Sequence, residues 1–244
     1  MARGPIKPYL QSVSLKDDVE LDFSAYPYSL AAVRELDGLR FHPDVTFLIG
    51  ENGSGKSTVL EALAVRWGFN PEGGTINFNF TTRASHSDLH ENIRLSRSTT
   101  RPTDGFFLRA ESFFNVATQV EELGVSGYGR RSLHEQSHGE SFLTLLMNRF
   151  GGNGLYLLDE PEAALSPMRQ LSALCRIHDL VKDGSQFIIA THSPILLAYP
   201  NAKIYQLDAN GYTETRYEET EHYRVTKEFL VHPERMLKEL LSDE

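Results

Sequence analysis

The stretch that most constrains this chain is Gly50-Glu51-Asn52-Gly53-Ser54-Gly55-Lys56-Ser57-Thr58. It fits the pattern glycine, any four residues, then Gly-Lys-Ser, and its flanks are as informative as the pattern itself. Before it, Val45-Thr46-Phe47-Leu48-Ile49 is a short apolar run rich in β-branched residues, which predicts a buried parallel strand. After it, Val59, Leu60, Leu63, Ala64 and Trp67 recur at helical spacing. A strand, a glycine-rich turn and a helix together make a phosphate cradle. Backbone N–H groups close around the anion, and the helix start adds unpaired donors and the positive end of its dipole. Gly50, Asn52, Gly53, Ser54, Gly55, Lys56, Ser57 and Thr58 are the expected binding residues. Within that set Lys56 reaches the β- and γ-phosphates, and the Ser57 hydroxyl sits on Mg2+.

A chain of 244 residues with 40% hydrophobic and 23% charged residues is long enough for one sizeable α/β domain. No apolar run approaches the roughly 20 residues that span a bilayer, so no membrane partner is expected within the chain itself. The N-terminus lacks the apolar core of a secretory signal, and the single cysteine, Cys175, suits a reducing cytoplasm. Cys175 follows Leu171 and Leu174 on a predicted apolar helix face, where a packed thiol is expected. A net charge of −9 weighs against a chain coated with basic surface for nucleic acid.

Residues 9–24 alternate loosely and predict a β-hairpin, and 26–37 a short helix ended by Gly38. Residues 70–104 read as an antiparallel β excursion with loops. Arg83, Arg94, Arg97 and Arg101 lie in it opposite Asp88, Glu91 and Asp104. A solvated β surface is the better reading than a nucleic-acid patch, because no aromatic residues are interleaved with the arginines. Further strands are expected at Gly105–Arg109, Leu155–Leu158 and Gln186–Ala190, with helical spacing over 113–123. Lys203–Leu207 and Tyr212–Tyr217 form a hairpin around Asn210-Gly211. A closing helix runs through Met236, Leu237, Leu240 and Leu241.

Three later segments complete the phosphate loop. Leu155-Tyr156-Leu157-Leu158 ends in Asp159-Glu160, a pair of acids that belongs at the open end of a buried strand, where ligands bind in α/β sheets. Asp159 is expected to hold Mg2+, and Glu160 to take the proton of an attacking water. Ser166-Pro167 supplies an N-cap and a first-turn proline for a helix with Leu171, Leu174, Ile177, Leu180 and Val181 as its buried stripe. Phe187–Ala190 leads into Thr191-His192-Ser193-Pro194, which places His192 to meet a γ-phosphate or the attacking water. Finally, Ser137-His138-Gly139-Glu140 heads a helix with Phe142, Leu143, Leu145, Leu146 and Phe150 on its buried side. It reads as a capping box and equally as a second anion site.

The order of these segments resembles that of ATP-binding-cassette ATPases, closer to the soluble SMC/RecF-like group than to transporter subunits. The resemblance covers most of the chain, through Gly50–Ser57, the signature Ser137–Glu140, Leu155–Glu160, the D-loop Ala163–Ser166 and the switch histidine His192. It implies a P-loop fold with a mostly parallel core sheet flanked by helices, an antiparallel β part and a small helical lid. Residues 1–244 would form one domain, with core lobe 1–112 and 151–244 and lid 113–150. It also implies ATP and Mg2+ as ligands and hydrolysis by Glu160, His192 and Lys56. In such a head-to-tail homodimer, Ser137 and Gly139 of one copy contact the γ-phosphate held by Lys56 of the other. The chain departs from the pattern in keeping one signature glycine, in Ser166 at the end of the D-loop, and in Glu111 where a metal-contacting glutamine is usual. Glu111 is therefore the expected third metal residue, beside Ser57 and Asp159. The expected role is a cytoplasmic ATPase that drives a protein partner, in nucleic-acid repair or phage defence. The alternatives are a transporter's ATP-driving subunit and a non-hydrolysing nucleotide switch.

Overall fold

Two sheets of opposite character meet over one helix. The computed structural model describes residues 7–76, 87–110 and 138–242. Its first half contains β1 (Leu10–Leu15), α1 (Ala31–Arg34), β2 (Leu39–Arg40), β3 (Val45–Gly50), α2 (Lys56–Trp67), α3 (Leu89–Asn92), β4 (Ile93–Arg97) and β5 (Asp104–Arg109). The second half adds α4 (His138–Asn148), β6 (Gly154–Asp159), α5 (Pro167–Lys182), β7 (Gln186–Ala190), α6 (Pro194–Leu197), β8 (Lys203–Asp208), β9 (Gly211–Thr215), α7 (Glu221–Val231) and α8 (Pro233–Leu241).

The larger sheet runs β5-β6-β7-β3-β8-β9. Its strands are parallel except for the last, which returns from β8 through the Asn210-Gly211 turn. Strand alternation sends Val45, Phe47, Ile49, Tyr156 and Leu158 to one face, where they pack on α4 and α5. Leu48, Leu155, Leu157 and Ile188 point to the other, against Val59, Leu60 and Leu63 of α2 and the small antiparallel sheet β2-β1-β4. Covered on both sides, β3, β6 and β7 are buried at every residue, which is why they read as unbroken apolar runs. The expected P-loop architecture, mostly parallel with an antiparallel part, is the observed one.

Three expectations need correction. The hairpin over 9–24 does not form: β1 pairs with β2 and with β4, and 19–24 is turn and irregular chain. The line of α5 that faces the core is Ala173, Ile177 and Leu180, while Leu171 is exposed and Leu174 and Val181 are only partly buried. Cys175 lies well around the helix from that line and is exposed, so its thiol is not packed. Ser166 does stand at the N-cap of α5, with Pro167 in the first turn, yet its side chain makes no capping bond. The alternation at 76–80 after its first residue, the helical spacing over 113–123 and most of the lid 113–150 lie outside the described residues.

Candidate nucleotide site

Parallel pairing aligns the C-terminal ends of the central strands. Asp159 of β6 is in register with Ala190 of β7, and Ala190 with Leu48 of β3, two residues before the loop begins. The chain therefore emerges at one edge three times, at Gly50, at Glu160 and at Thr191. The Glu160 N–H donates to the Ala190 carbonyl (2.9 Å) and the Thr191 N–H to the Leu48 carbonyl (3.3 Å), fastening the exits together.

The loop geometry demands glycine where it counts. Gly50 has φ +151°, and a Cβ there would lie 2.5 Å from the Leu207 carbonyl oxygen. Lys56 is almost fully buried and folds over the loop, donating to the carbonyls of Gly50 (2.8 Å) and Glu51 (2.9 Å). Burial pulls its pKa below the ordinary lysine range, while the carboxylates of Glu160, Asp159 and Glu162 oppose the shift. The Ser54 hydroxyl is buried and has no hydrogen-bond partner among the described residues. A cradle of N–H donors, a buried ammonium and an orphaned hydroxyl fit a polyphosphate.

The residues present also fit Mg2+. The Ser57 hydroxyl donates to Asp159 Oδ1 at 3.0 Å across 102 residues of chain, so two of the three side chains expected to hold the metal meet. Magnesium takes one or two protein oxygens and completes its shell with phosphate and water. That is consistent with the described residues containing no cluster of three or more His, Cys, Asp or Glu. When bound, the ion neutralises charge on the phosphate oxygens. Arg109, at the end of β5, pairs with Glu61 and approaches Asp159 (3.9 Å), adding a partly buried positive group beside the acid.

Glu160 sits in the left-handed region (φ +49°, ψ +51°), a conformation that costs a non-glycine residue about 1 kcal/mol or more. The turn carries its side chain away from the strand, half exposed, to 3.8 Å from His192 Nε2. His192 is held from two sides. Its backbone N–H donates to Glu162 Oε1 (2.5 Å), and its Nδ1 lies 3.1 Å from Nε2 of His222 on α7. Burial, reinforced by Lys56, holds the His192 imidazole below its ordinary pKa, with Glu160 opposing. Burial raises the pKa of Glu162, and its bond from the His192 N–H works against that rise.

Lys56, Ser57, Asp159, Glu160 and His192 thus lie together at this sheet edge. Glu111 and Ser137 lie outside the described residues. Gly139 is buried at the start of α4, where a Cβ would stand 2.4 Å from the Ala164 carbonyl oxygen and 2.8 Å from Arg169 Nη1. A glycine is therefore required there by packing against the D-loop of the same chain. Three residues escaped sequence reasoning: Glu162, His222 and Tyr26. The Tyr26 ring is 66% exposed, with its hydroxyl 3.4 Å from Thr58 Oγ1 at the start of α2. None carries a local signal; only the close pair Glu160-Pro161-Glu162 hints at one of them. Of the arginines in 70–104, Arg94 pairs with Asp17 (3.3 Å), and Arg97 stacks over Trp67 and donates to the Arg66 carbonyl. Both are engaged within the chain, as a solvated β surface requires.

Comparison with known proteins agrees with this geometry. A family model described as ABC transporter matches residues 41–163. The thiamine import ATP-binding protein ThiQ of Chelativorans sp. (strain BNC1) is 29% identical over 202 residues, 72% of this chain and 77% of that protein. The cytochrome c biogenesis ATP-binding export protein CcmA of Rhizobium etli is 30% identical over 168 residues, 61% of this chain and 75% of its own. ABC transporter G family member STR2 of Medicago truncatula is 24% identical over 210 residues, 71% of this chain but 29% of that longer protein. Among solved structures, cbiO1 from Clostridium perfringens, part of the ABC transporter complex cbiONQ, superposes with TM-score 0.45 and 16% identity, covering 93% of this chain and 97% of its own. The SMC head domain from Thermotoga maritima gives 0.41 and 16%, covering 73% and 92%. No helix among the described residues is long and apolar enough to cross a membrane. With its phosphate cradle, acid pair and family match in accord, the chain belongs to the ABC transporter family as an ABC-type ATPase, which binds ATP with Mg2+ and hydrolyses it.

Proposed function

We propose that two copies of this chain close head to tail around ATP, and that the cycle of closure and hydrolysis drives a protein partner. The observation that carries the reading is the convergence of Lys56, the Ser57–Asp159 pair, Glu160 and His192 on one sheet edge. Lys56 binds the β- and γ-phosphates, and Ser57, Asp159 and Glu111 serve the Mg2+ shell. Glu160 accepts the proton of the attacking water. His192 donates to the γ-phosphate, stabilising charge as the terminal phosphoryl group departs. Gly50, Asn52, Gly53, Ser54, Gly55 and Thr58 line the phosphates, and the exposed Tyr26 ring offers a face on which a purine can stack. Residues 113–150 act as a lid that presents Ser137 and Gly139 to the other copy's γ-phosphate.

The partner defines two readings. A standalone, SMC/RecF-like role in a cytoplasmic process such as DNA repair or phage defence is supported by Glu111 in the glutamine position and by the reduced signature. An ATP-binding subunit docked on a separate membrane component is supported by relatives named as import and export proteins. The shared core of both readings is ATP-driven pairing. Glu160→Gln should keep ATP affinity, stop turnover and accumulate a dimer at saturating ATP by light scattering. A variant that stays monomeric there contradicts the composite site.

A further inference from the structure

From the contact between His192 and His222 we infer that His222 is a positioning residue that fixes the tautomer of the switch histidine, keeping a proton on His192 Nε2, the atom that faces the reacting phosphate. This rests on the role proposed for His192 and goes beyond it, because His222 belongs to α7, outside the segments that make the phosphate site.

The proton arithmetic has two solutions. His192 Nδ1 and His222 Nε2 are 3.1 Å apart, so with both rings neutral one of these nitrogens carries the shared hydrogen. If His192 Nδ1 donates, His222 must carry its own proton on Nδ1. Among the described residues neither that atom nor His192 Nε2 has a hydrogen-bond partner, so each solution leaves one buried N–H unbonded, here the His222 Nδ1–H. This arrangement would also turn the lone pair of His192 Nε2 toward the Glu160 carboxylate, 3.8 Å away, and leave nothing to donate to a phosphate. If His222 Nε2 donates instead, its buried Nδ1 bears only a lone pair, and the unbonded N–H is that of His192 Nε2. His192 Nε2–H then points toward Glu160, an acceptor. The Glu160 carboxylate, which attracts an N–H and repels a lone pair, selects the second solution.

The fold holds His222 against the turn that carries His192. Thr220, buried, caps α7 by accepting from the Tyr223 N–H (3.2 Å), which puts His222 in the first turn. The Tyr217 hydroxyl donates to the Pro194 carbonyl (2.9 Å), two residues beyond His192. The start of α7 is thereby tied to the same turn that carries the switch histidine. His192, His222, Gln206, Glu221, Val225 and the loop residues Gly50–Asn52 line an open cleft of about 300 Å3 at the phosphate edge.

The test combines spectroscopy and kinetics on the full chain. Histidine side-chain 1H–15N correlation spectra at neutral pH, assigned with His192→Gln, should show His192 protonated on Nε2 and bare on Nδ1. In His222→Ala the tautomer should shift toward a mixture, and kcat should fall roughly 10- to 100-fold with KM for ATP unchanged. His222→Gln should recover most of the loss, because its amide nitrogen can donate where Nε2 does; His222→Glu, which has no donor at neutral pH, should not. A proton on His192 Nδ1, or a Gln variant no better than Ala, overturns the inference. His192→Ala separates the two levels: full activity in that variant refutes the γ-phosphate role itself. An impaired His192→Ala beside an unimpaired His222→Ala refutes only the tautomer lock.

Discussion

The phosphate edge of the parallel sheet and the C-terminal helix pair differ in almost every physical respect. At the edge, strands are buried at every position and charged groups are matched: Ser57 with Asp159, Arg109 with Glu61, Lys56 with loop carbonyls. Helices α7 and α8 bury no residue at all and leave Val225, Leu230, Leu240 and Leu241 exposed. Yet α7 reaches the edge through its first turn, where His222 meets His192, and the preceding Tyr217 bonds to Pro194. Burial is concentrated at the strands that carry the site, and the exposed helix pair meets the site through the first turn of α7, with His222 on His192. Stability and turnover should therefore respond differently to changes in the two regions.

The largest expected effect is on turnover at the edge. Glu160→Gln should lower kcat by roughly 10^2- to 10^4-fold in a steady-state phosphate-release assay, with ATP affinity retained. A smaller loss would move the general base to another residue. Next comes stability. Leu157 is fully buried in β6, so Leu157→Ala should cost about 2–5 kcal/mol in urea unfolding. Removing the exposed ring in Tyr26→Ala should raise KM for ATP about tenfold, the loss of roughly 1–2 kcal/mol of stacking, with kcat unchanged.

A pH series probes the contact between the regions. His192 and His222 are both held below the ordinary histidine pKa by burial, with Lys56 repelling the first and His192 the second. The unfolded chain therefore binds more protons than the fold at mildly acidic pH. The contribution of the pair is complete above about pH 6.5 and is lost as pH falls through the folded-state values. The double variant His192→Gln/His222→Gln should show a flatter fall in unfolding free energy between neutral and acidic pH than the wild type. Equal slopes would mean that the pair is not linked to folding. The smallest effect belongs to α8, where Leu240→Ala should change stability by no more than about 0.5 kcal/mol. A larger loss in the isolated chain would erase the contrast between the regions.

Much of the edge was legible because its determinants are local. A β-branched run, a glycine turn and a helical period lie consecutively at 45–67, and the acids of Asp159-Glu160 directly follow their strand. What escaped depends on contacts distant in sequence. The partner of β1 is β4, on the far side of β3 and α2, so the alternation at 9–24 suggested a neighbour that is not there. Leu171 and Leu174 gave α5 an apolar line, but packing chose Ala173, Ile177 and Leu180, and Cys175 turned outward with the rejected side. His222 sits in an acidic stretch whose composition says nothing of a partner at His192.

A mixing experiment tests the shared-triphosphate arrangement most directly. Lys56→Ala retains Ser137, and Ser137→Phe retains Lys56, so each chain alone should be inactive, while a heterodimer contains one intact composite site. Restored ATP hydrolysis on mixing the two inactive proteins is the expected result. Hydrolysis by Ser137→Phe alone, or none from the mixture, would contradict it.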